Sequence, residues 1–418
     1  MAEAYIIDAV RTPRSIGKLG KGALSHLHPQ HLAAAVLRAI SERNALATAD
    51  IDDVIWGCSA QIGLQGGDLG RMAALDAGYD VRASGVTLDR FCGSGLTATN
   101  LAAGQIMAGM EDLIVAGGTE MMSHVVDYGG RLRAAGVAAA SGLGTGNDRL
   151  QARHPQSNQG VCADAIAAME GVTRAELEAQ GVESQRRAAR AIAEGRFARS
   201  LIPVQDDDGT LLLDHEEYPR PDTTAARLAE MKPAFAMFLD MPSRPDGPTF
   251  RQLINSKYPD IDIQPIHHVG ISSGVVDGAA AILLASGDYA RSHGLVPRAR
   301  VVATANVGDC PTLMLNAPVP AARKVLARAG LTKDDIDVWE VNEAFAVVTE
   351  KFARDMAIDR ARLNPNGGAM ALGHPIGATG AVLIGTALDE LERTGGRYGL
   401  ITMCAAGGMA PAIVIERI

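Results

Sequence analysis

The sequence predicts an α/β protein built from two similar layered halves, with a region of different texture set between them. Three observations predict it. Apolar, β-rich runs alternate with amphipathic helical runs early in the chain, the pattern of buried sheets covered by helices. The order turn, apolar helix, strand occurs twice: Cys92 leads into Leu96–Ala108 and then Asp112–Gly118, and His374 leads into Ala381–Leu388 and then Tyr398–Cys404. Between them, from Ser123 to about Gly270, the chain turns to Gly-rich turns, a helical pair and Pro-punctuated loops.

Taken in order, Tyr5–Ala9 is expected as a strand, His31–Glu42 as an amphipathic helix and Val54–Gly57 as a second strand. The uncharged run after Cys92 predicts a buried helix, and Leu113–Ala116 a buried strand. Ala163–Glu170 and Arg174–Glu194 form the helical pair of the middle region. Gly-Leu-Gly-Thr-Gly at 142–146 has no strand before it, so it is not read as a dinucleotide fingerprint. The basic stretch Gln185–Arg199 is expected as a solvated helix face, although its arginines could also meet an anion.

Composition narrows the function. The chain has 418 residues, 47% hydrophobic and 21% charged, which suits a soluble globular protein of two or three domain-sized units. A net charge of −9 argues against general nucleic-acid binding. Five cysteines (58, 92, 162, 310 and 404) stand at no metal-like spacing, which points to a reducing compartment rather than to disulfides or zinc. The opening Met1-Ala2-Glu3-Ala4-Tyr5 lacks a signal-peptide pattern, and no apolar run is long enough to span a bilayer. A cytoplasmic enzyme without membrane attachment is the expectation.

Candidate chemistry gathers in a few small-residue segments. Asp89-Arg90-Phe91-Cys92-Gly93-Ser94-Gly95 places a thiol at a loop-to-helix junction, beside free N–H groups and the positive end of a helix. Far along the chain come Asn342-Glu343-Ala344-Phe345-Ala346, then Gly373-His374-Pro375-Ile376-Gly377, then Met403-Cys404-Ala405-Ala406-Gly407-Gly408. Glycines there permit tight turns and close approach to a ligand. A buried free cysteine or a lone histidine is ordinarily structural; several such loops together with Cys92 point to a site.

In these blocks, and from Ala4-Tyr5-Ile6-Ile7-Asp8-Ala9-Val10-Arg11-Thr12-Pro13 to Ile413–Arg417, the chain resembles the thiolases. These are the acetyl-CoA acetyltransferases and 3-ketoacyl-CoA thiolases. The fit is poorer at about 123–160 and 236–266. The resemblance implies a thiolase-like fold, two layered αβαβα domains with an inserted loop domain. The first domain is expected at 1–122 plus 271–297, the loop domain covering the coenzyme A site at 123–270, and the second domain at 298–418. The 236–266 stretch is longer than usual for the family and is read as an extra surface or pocket-lining loop.

By the same resemblance, Cys92 is the acylated nucleophile, His374 takes its proton, and a thiolate–imidazolium pairing is expected to keep Cys92 reactive near neutral pH. Cys404 is the acid or base at the carbon next to the second carbonyl. One oxyanion site is expected from His374 and an Asn342-held water, the other from the backbone N–H groups of Cys92 and Ala406. Arg220, Ser273, Asn158, Gln159, Met314 and Phe345 are the expected coenzyme A and substrate contacts. No metal or bound cofactor is implied; coenzyme A is itself a substrate, with acyl-CoA, and the family assembles as homodimers or homotetramers.

Three departures from the family pattern stand out. Asn158-Gln159-Gly160 replaces His-Met-Gly, Ile271 replaces an asparagine, and Ala406 stands where glycine is usual and where a positive φ would be strained. The reading is therefore thiolase chemistry with an altered substrate wall. Two alternatives are a decarboxylating 3-ketoacyl synthase of the same superfamily and a catalytically silent coenzyme A- or lipid-binding protein on this fold.

Overall fold

The computed structural model describes residues 2–134, 147–244 and 246–418; the 142–146 glycines lie outside the described residues. In the first half, β1 (Ala4–Arg11) is followed by α1 (Pro29–Arg43), β2 (Asp53–Gly57), β3 (Val86–Leu88), α2 (Ser94–Met107) and β4 (Leu113–Met121). The middle region contributes α3 (Gln159–Met169) and α4 (Arg174–Ala193). Then come β5 (Val276–Ser286), β6 (Ala299–Gly308), α5 (Pro318–Ala329), β7 (Val338–Val341), α6 (Ala346–Met356), α7 (Ile376–Thr394), β8 (Tyr398–Thr402) and β9 (Met409–Arg417).

Nine of these strands hydrogen-bond in the order β7-β8-β9-β6-β1-β5-β4-β2-β3, and the short strand Ser15–Ile16 also pairs with β5. The order hides a repeat. Reading outward from the centre, β1-β5-β4-β2 and β6-β9-β8-β7 pass through the same pairings: antiparallel, antiparallel, parallel. Strand β3 extends the first half in parallel, and a bridge from Trp339 to Leu363 does the same in the second. The halves meet antiparallel where Tyr5 faces Arg300 and Ile6 faces Ala299.

Alternation along the strands sorts side chains into layers. On β4, Leu113 and Val115 join an outer core with Leu32, Val36 and Ile40 of α1, while Ile114 and Ala116 face inward. On β9, Ala412 and Val414 join α5 and α6, while Ile413 and Ile415 face inward. Both inner faces meet α2 and α7, which share one core through Leu96, Ala102, Ile106, Ile384 and Leu388. The result is the αβαβα layering with α2 and α7 at the centre. Among the described residues no helix is long and apolar enough to cross a membrane.

Close approach of the central elements depends on missing side chains. A Cβ on Gly380 would lie 2.1 Å from the Leu96 nitrogen, and one on Gly118 would lie 2.0 Å from the Gly377 oxygen. Thus the first turn of α7 sits directly against the first turn of α2 and the end of β4. The middle region packs on the second half: Val161, Ala165 and Leu177 share a core with Phe345, Val347, Cys404 and Ala406. The 236–266 stretch contributes Leu239, Ile254 and Ile263 to that same core and carries two short helices, Ala236–Leu239 and Phe250–Asn255.

Candidate active site

Cys92 lies in a tight turn that ends on Gly93, the N-cap of α2. Phe91 just before it holds a left-handed backbone at φ 49°. For a bulky residue this costs about 1–3 kcal/mol and persists only where neighbours enforce it. Here they do. The Phe91 N–H donates to Asp89 Oδ1 at 2.6 Å, Ser94 Oγ donates to the Phe91 carbonyl at 2.6 Å, and the Arg90 N–H donates to Ser94 Oγ at 2.9 Å. The Cys92 N–H has no backbone acceptor among the described residues.

His374 stands just ahead of α7. Its Nδ1–H donates to Thr379 Oγ1 at 2.6 Å, one turn along the helix, and its Nε2 accepts from Asn342 Nδ2 at 3.4 Å. This pairing leaves the basic lone pair on Nε2. Asn342 is framed in turn. Asn364 caps the strand end before it, accepting from the Val341 N–H and donating to the Val341 carbonyl, both at 2.8 Å. The buried Glu343 carboxylate accepts from Ser184 Oγ at 2.7 Å, the Met370 N–H at 3.1 Å and Asn364 Nδ2 at 3.2 Å.

A second buried carboxylate ties the two halves together. Glu120, at the end of β4, accepts from the N–H groups of Ser59, Ala60 and Gly377 and from Gln65 Nε2, all at 2.8–3.0 Å. Gly377 lies three residues past His374, so Glu120 fixes the His374 loop from the opposite half. The sequence shows only an acid closing an apolar run; the tie requires contacts between distant segments.

Cys404 follows β8 and is buried; a charge on Cys92 opposes its ionisation, which places the two thiols within electrostatic reach. The turn after it takes its left-handed residues at Gly407 (φ 79°) and Gly408 (φ 78°), and Ala406 is not among the positive-φ residues. The strain anticipated for an alanine there does not arise. The Ala406 N–H, like that of Cys92, has no backbone acceptor among the described residues. Gly408 abuts the 309–310 backbone, and the Asp309 N–H donates to its carbonyl at 2.6 Å. That joins the turn to the loop carrying Met314, a buried residue with φ 64°.

Burial governs the protonation states. It pushes the Cys92 thiol up to about 12, with the charge of Glu120 adding to it and the adjacent backbone opposing it. Burial alone lowers His374 to about 4. Cys404 is likewise raised, by burial and then by Cys92. Burial thus opposes a charge on either residue and works against the thiolate–imidazolium pairing expected from the helix end. The dipole of one helix end is worth about 1 kcal/mol, less than the cost of burying the charge.

The description "Thiolase, N-terminal domain" matches residues 4–237, and "Thiolase, C-terminal domain" matches 295–417. The chain is 39% identical to a steroid 3-ketoacyl-CoA thiolase of Mycobacterium tuberculosis, over all of this chain and 95% of that protein. It is 39% identical to a beta-ketoadipyl-CoA thiolase of Pseudomonas aeruginosa, over all of this chain and 99% of that one. It is also 39% identical, end to end, to a 3-oxoadipyl-CoA/3-oxo-5,6-dehydrosuberyl-CoA thiolase of Escherichia coli. The chain belongs to the thiolase family. As a thiolase it is an acyltransferase acting on CoA thioesters, with coenzyme A as substrate rather than bound cofactor.

Around the reactive loops of this thiolase, the Ser272–Gly274 segment threads the site. The Ser273 N–H donates to the Ala344 carbonyl at 3.0 Å, Ser272 bridges to Phe345, and the His374 N–H donates to the Gly274 carbonyl at 2.9 Å. Ile271 is buried in the apolar cluster shared with Phe345. Arg220 is exposed, its guanidinium 5.1 Å from the Tyr218 ring, and that ring lies against Gly274. Asn158 caps α3, its Oδ1 accepting the Gly160 N–H at 2.9 Å, and Gln159 opens the helix. The arginines of 185–199 are occupied: Arg186 and Arg187 pair with Glu183, Arg196 with Glu194, Arg199 with Glu392, and Arg190 donates to the Pro365 carbonyl. Sequence reasoning missed Glu120, Thr379, Asn364 and Phe235. Only Thr379, on the His374 side of the next helical turn, carried a local signal.

Proposed function

We propose that this thiolase cleaves a 3-ketoacyl-CoA with CoA to acetyl-CoA and a shortened acyl-CoA, or condenses in reverse, through an acyl-Cys92 intermediate. The observation that carries the reading is the arrangement of two buried thiols from the two halves, a histidine with its lone pair on Nε2, and two backbone N–H groups without backbone acceptors. In cleavage, His374 takes the Cys92 proton as sulfur attacks the 3-keto carbon. The C2–C3 bond then breaks, and Cys404 supplies the proton to C2 of the departing acetyl-CoA enolate. His374 passes its proton to the Cys404 thiolate and is free to act again; CoA then gives up its thiol proton to His374 and attacks the Cys92 thioester, and as the acyl-CoA leaves, that proton returns from His374 to the Cys92 sulfur.

Each oxygen that gathers negative charge needs donors already in place, typically worth ~3 kcal/mol apiece. The Cys92 and Ala406 N–H groups supply one set; His374 and an Asn342-held water supply the other. Ser273, Phe345, Met314, Asn158, Gln159 and Arg220 bound the path from the reacting carbon to the coenzyme's phosphate end. We read 123–270 as the domain covering that path. The names of the relatives support an acyl group larger than acetyl, and the family supports a homodimer or homotetramer, which sedimentation would measure.

The test offers acetoacetyl-CoA and longer 3-ketoacyl-CoAs with CoA and follows loss of the ketoacyl thioester. Cys92→Ser should abolish turnover and the acyl label. Cys404→Ala should still take an acetyl group from acetyl-CoA onto Cys92 but lose condensation. Loss of both steps together would mean that Cys404 is not the acid and base at C2. If CoA binds and no 3-ketoacyl-CoA is cleaved, the chain is a silent CoA-binding member instead.

A further inference from the structure

We infer that His267, oriented by Asp164, is a specificity-determining residue of the acyl-binding wall that recognises a hydroxyl on the acyl part of the substrate. The inference rests on the thiolase reading for what occupies that wall. Asp164 lies on α3 and collects three donors on one oxygen: the Ile266 N–H at 3.0 Å, the His267 N–H at 2.9 Å and His267 Nδ1 at 2.7 Å. Three donors converge on that one oxygen, which turns Nδ1 toward Asp164 and leaves Nε2 as the ring position facing away from it.

That Nε2 has no partner among the described residues, although His267 has no exposed surface at all. The adjacent His268 shows what a structural histidine does at similar depth. Its Nε2–H donates to Glu178 at 3.1 Å and its Nδ1 accepts from the Gly270 N–H at 3.2 Å, so both nitrogens are used. A buried polar atom left unmatched is costly, and such atoms gather where a ligand completes them.

His267 packs directly against Phe345, one of the residues proposed to bound the acyl path. Its ring stands perpendicular to Phe345, centroids 5.7 Å apart, and Phe345 stands across from Phe235 at 5.6 Å. Phe235 fits because residue 160 is glycine; a Cβ there would lie 2.1 Å from the ring. Phe345 shares one apolar cluster with Met314, Cys404 and Ala406. The wall is aromatic, and the dyad is its polar element. Asp164 Oδ2 is also unpartnered among the described residues, so the dyad leaves two polar positions unmatched. A hydroxyl, which can both donate and accept, matches Nε2 with or without its proton; a carboxylate ligand would bury a second anion beside Asp164.

The experiment compares pairs of 3-ketoacyl-CoAs of equal chain length, with and without one hydroxyl on the chain, in the wild type, His267→Leu, His267→Gln and Asp164→Asn. Circular dichroism and Cys92 alkylation check folding. The wild type should favour the hydroxylated member roughly 10–100-fold in kcat/KM, mostly through KM. His267→Leu should erase that ratio, and His267→Gln, which keeps an acceptor, should retain part of it. Should His267→Leu fail to fold, the Gln and Asn variants decide. Asp164→Asn should lower the ratio because Nδ1 loses its anionic partner. A ratio near one in the wild type, or an unchanged ratio in the variants, overturns the inference. A binding arm with Cys92→Ser and the same CoA thioesters, read by calorimetry, separates it from the thiolase reading. Hydroxyl preference in binding without any wild-type turnover would sink the thiolase reading and keep His267; turnover with equal affinities would do the reverse.

Discussion

A thiol at a helix N-terminus gains from the dipole, yet Cys92 is pushed up to about 12 and His374 down to about 4 because both are buried. On the proposed mechanism, proton transfer is then expected during the attack itself rather than in the resting enzyme. The thiolate absorbance near 240 nm should show no Cys92-dependent step between pH 5 and 9, measured against Cys92→Ser. A step below pH 8 would restore the resting ion pair. His374 is neutral above about pH 4, so the acid limb of kcat/KM should fall below pH 5, not near the ordinary histidine value. Asn342 Nδ2 claims the Nε2 lone pair, and Thr379 Oγ1 then accepts the His374 proton on Nδ1. Thr379→Val should lower kcat roughly tenfold, the worth of one buried hydrogen bond (about 1.4 kcal/mol), with the fold intact by circular dichroism. At this scale the sequence showed Cys92, His374, Cys404 and Asn342 through their small-residue settings. It did not show Glu120, because the groups that bond it lie at 59–65 and 377.

At the scale of elements, periodicity carried most of the information. Tyr5–Ala9, Val54–Gly57, Leu113–Ala116 and the pair of middle helices all read correctly as to type, because each buries one face or both and its apolar spacing says so. Ends read less well. The strand expected to end at Gly118 runs on to Met121; Gly118 lets α7 approach, while Gly117 clears Ala280 and the Trp56 ring. The basic stretch was expected to be helical to Arg199, but α4 stops at Ala193, and the last arginines reach carboxylates across loops. The close contact of α7 with α2 makes a prediction about stability. Gly380→Ala must push α7 away from Leu96 and should cost roughly 3 kcal/mol, seen as a lower denaturant midpoint with an unchanged slope. An unaltered midpoint would mean that the central helices are not held at this distance.

For the whole molecule, the repeat of strand order explains why the reactive groups come from both halves: corresponding strand ends and helix starts meet at the centre, at Gly95, Gly118, Gly377 and Gly380. Long-range ties hold the middle region to them. Glu216 is buried between Arg11 and Arg14; burial would raise its carboxyl, but the two guanidinium groups and the Arg14 hydrogen bonds bring it down to about 2. A lowered folded value means that the ionised form favours folding. The contribution, about 3 kcal/mol, is complete above about pH 4.5 and is lost as pH falls toward 2. Glu216→Gln should destabilise the protein at pH 7 and flatten the drop in melting temperature between pH 4.5 and 3; a parallel drop in both proteins would refute it.

By itself the sequence determined the α/β layering, the twofold repeat and the family, and it pointed to the residues proposed as reactive, because these are written in local spacing and short motifs. The tertiary structure alone decided which carboxylates brace the site, that burial opposes a charge on Cys92 and on His374, and that Ala406 sits without strain while Phe91 and Met314 do not. It also decided that His267 keeps a free nitrogen beside Phe345. The physical reason is common to all of them. Burial and hydrogen-bond partners are set by segments far apart in the chain, and the energy of a buried charge or an unmatched polar atom does not exist until those segments meet.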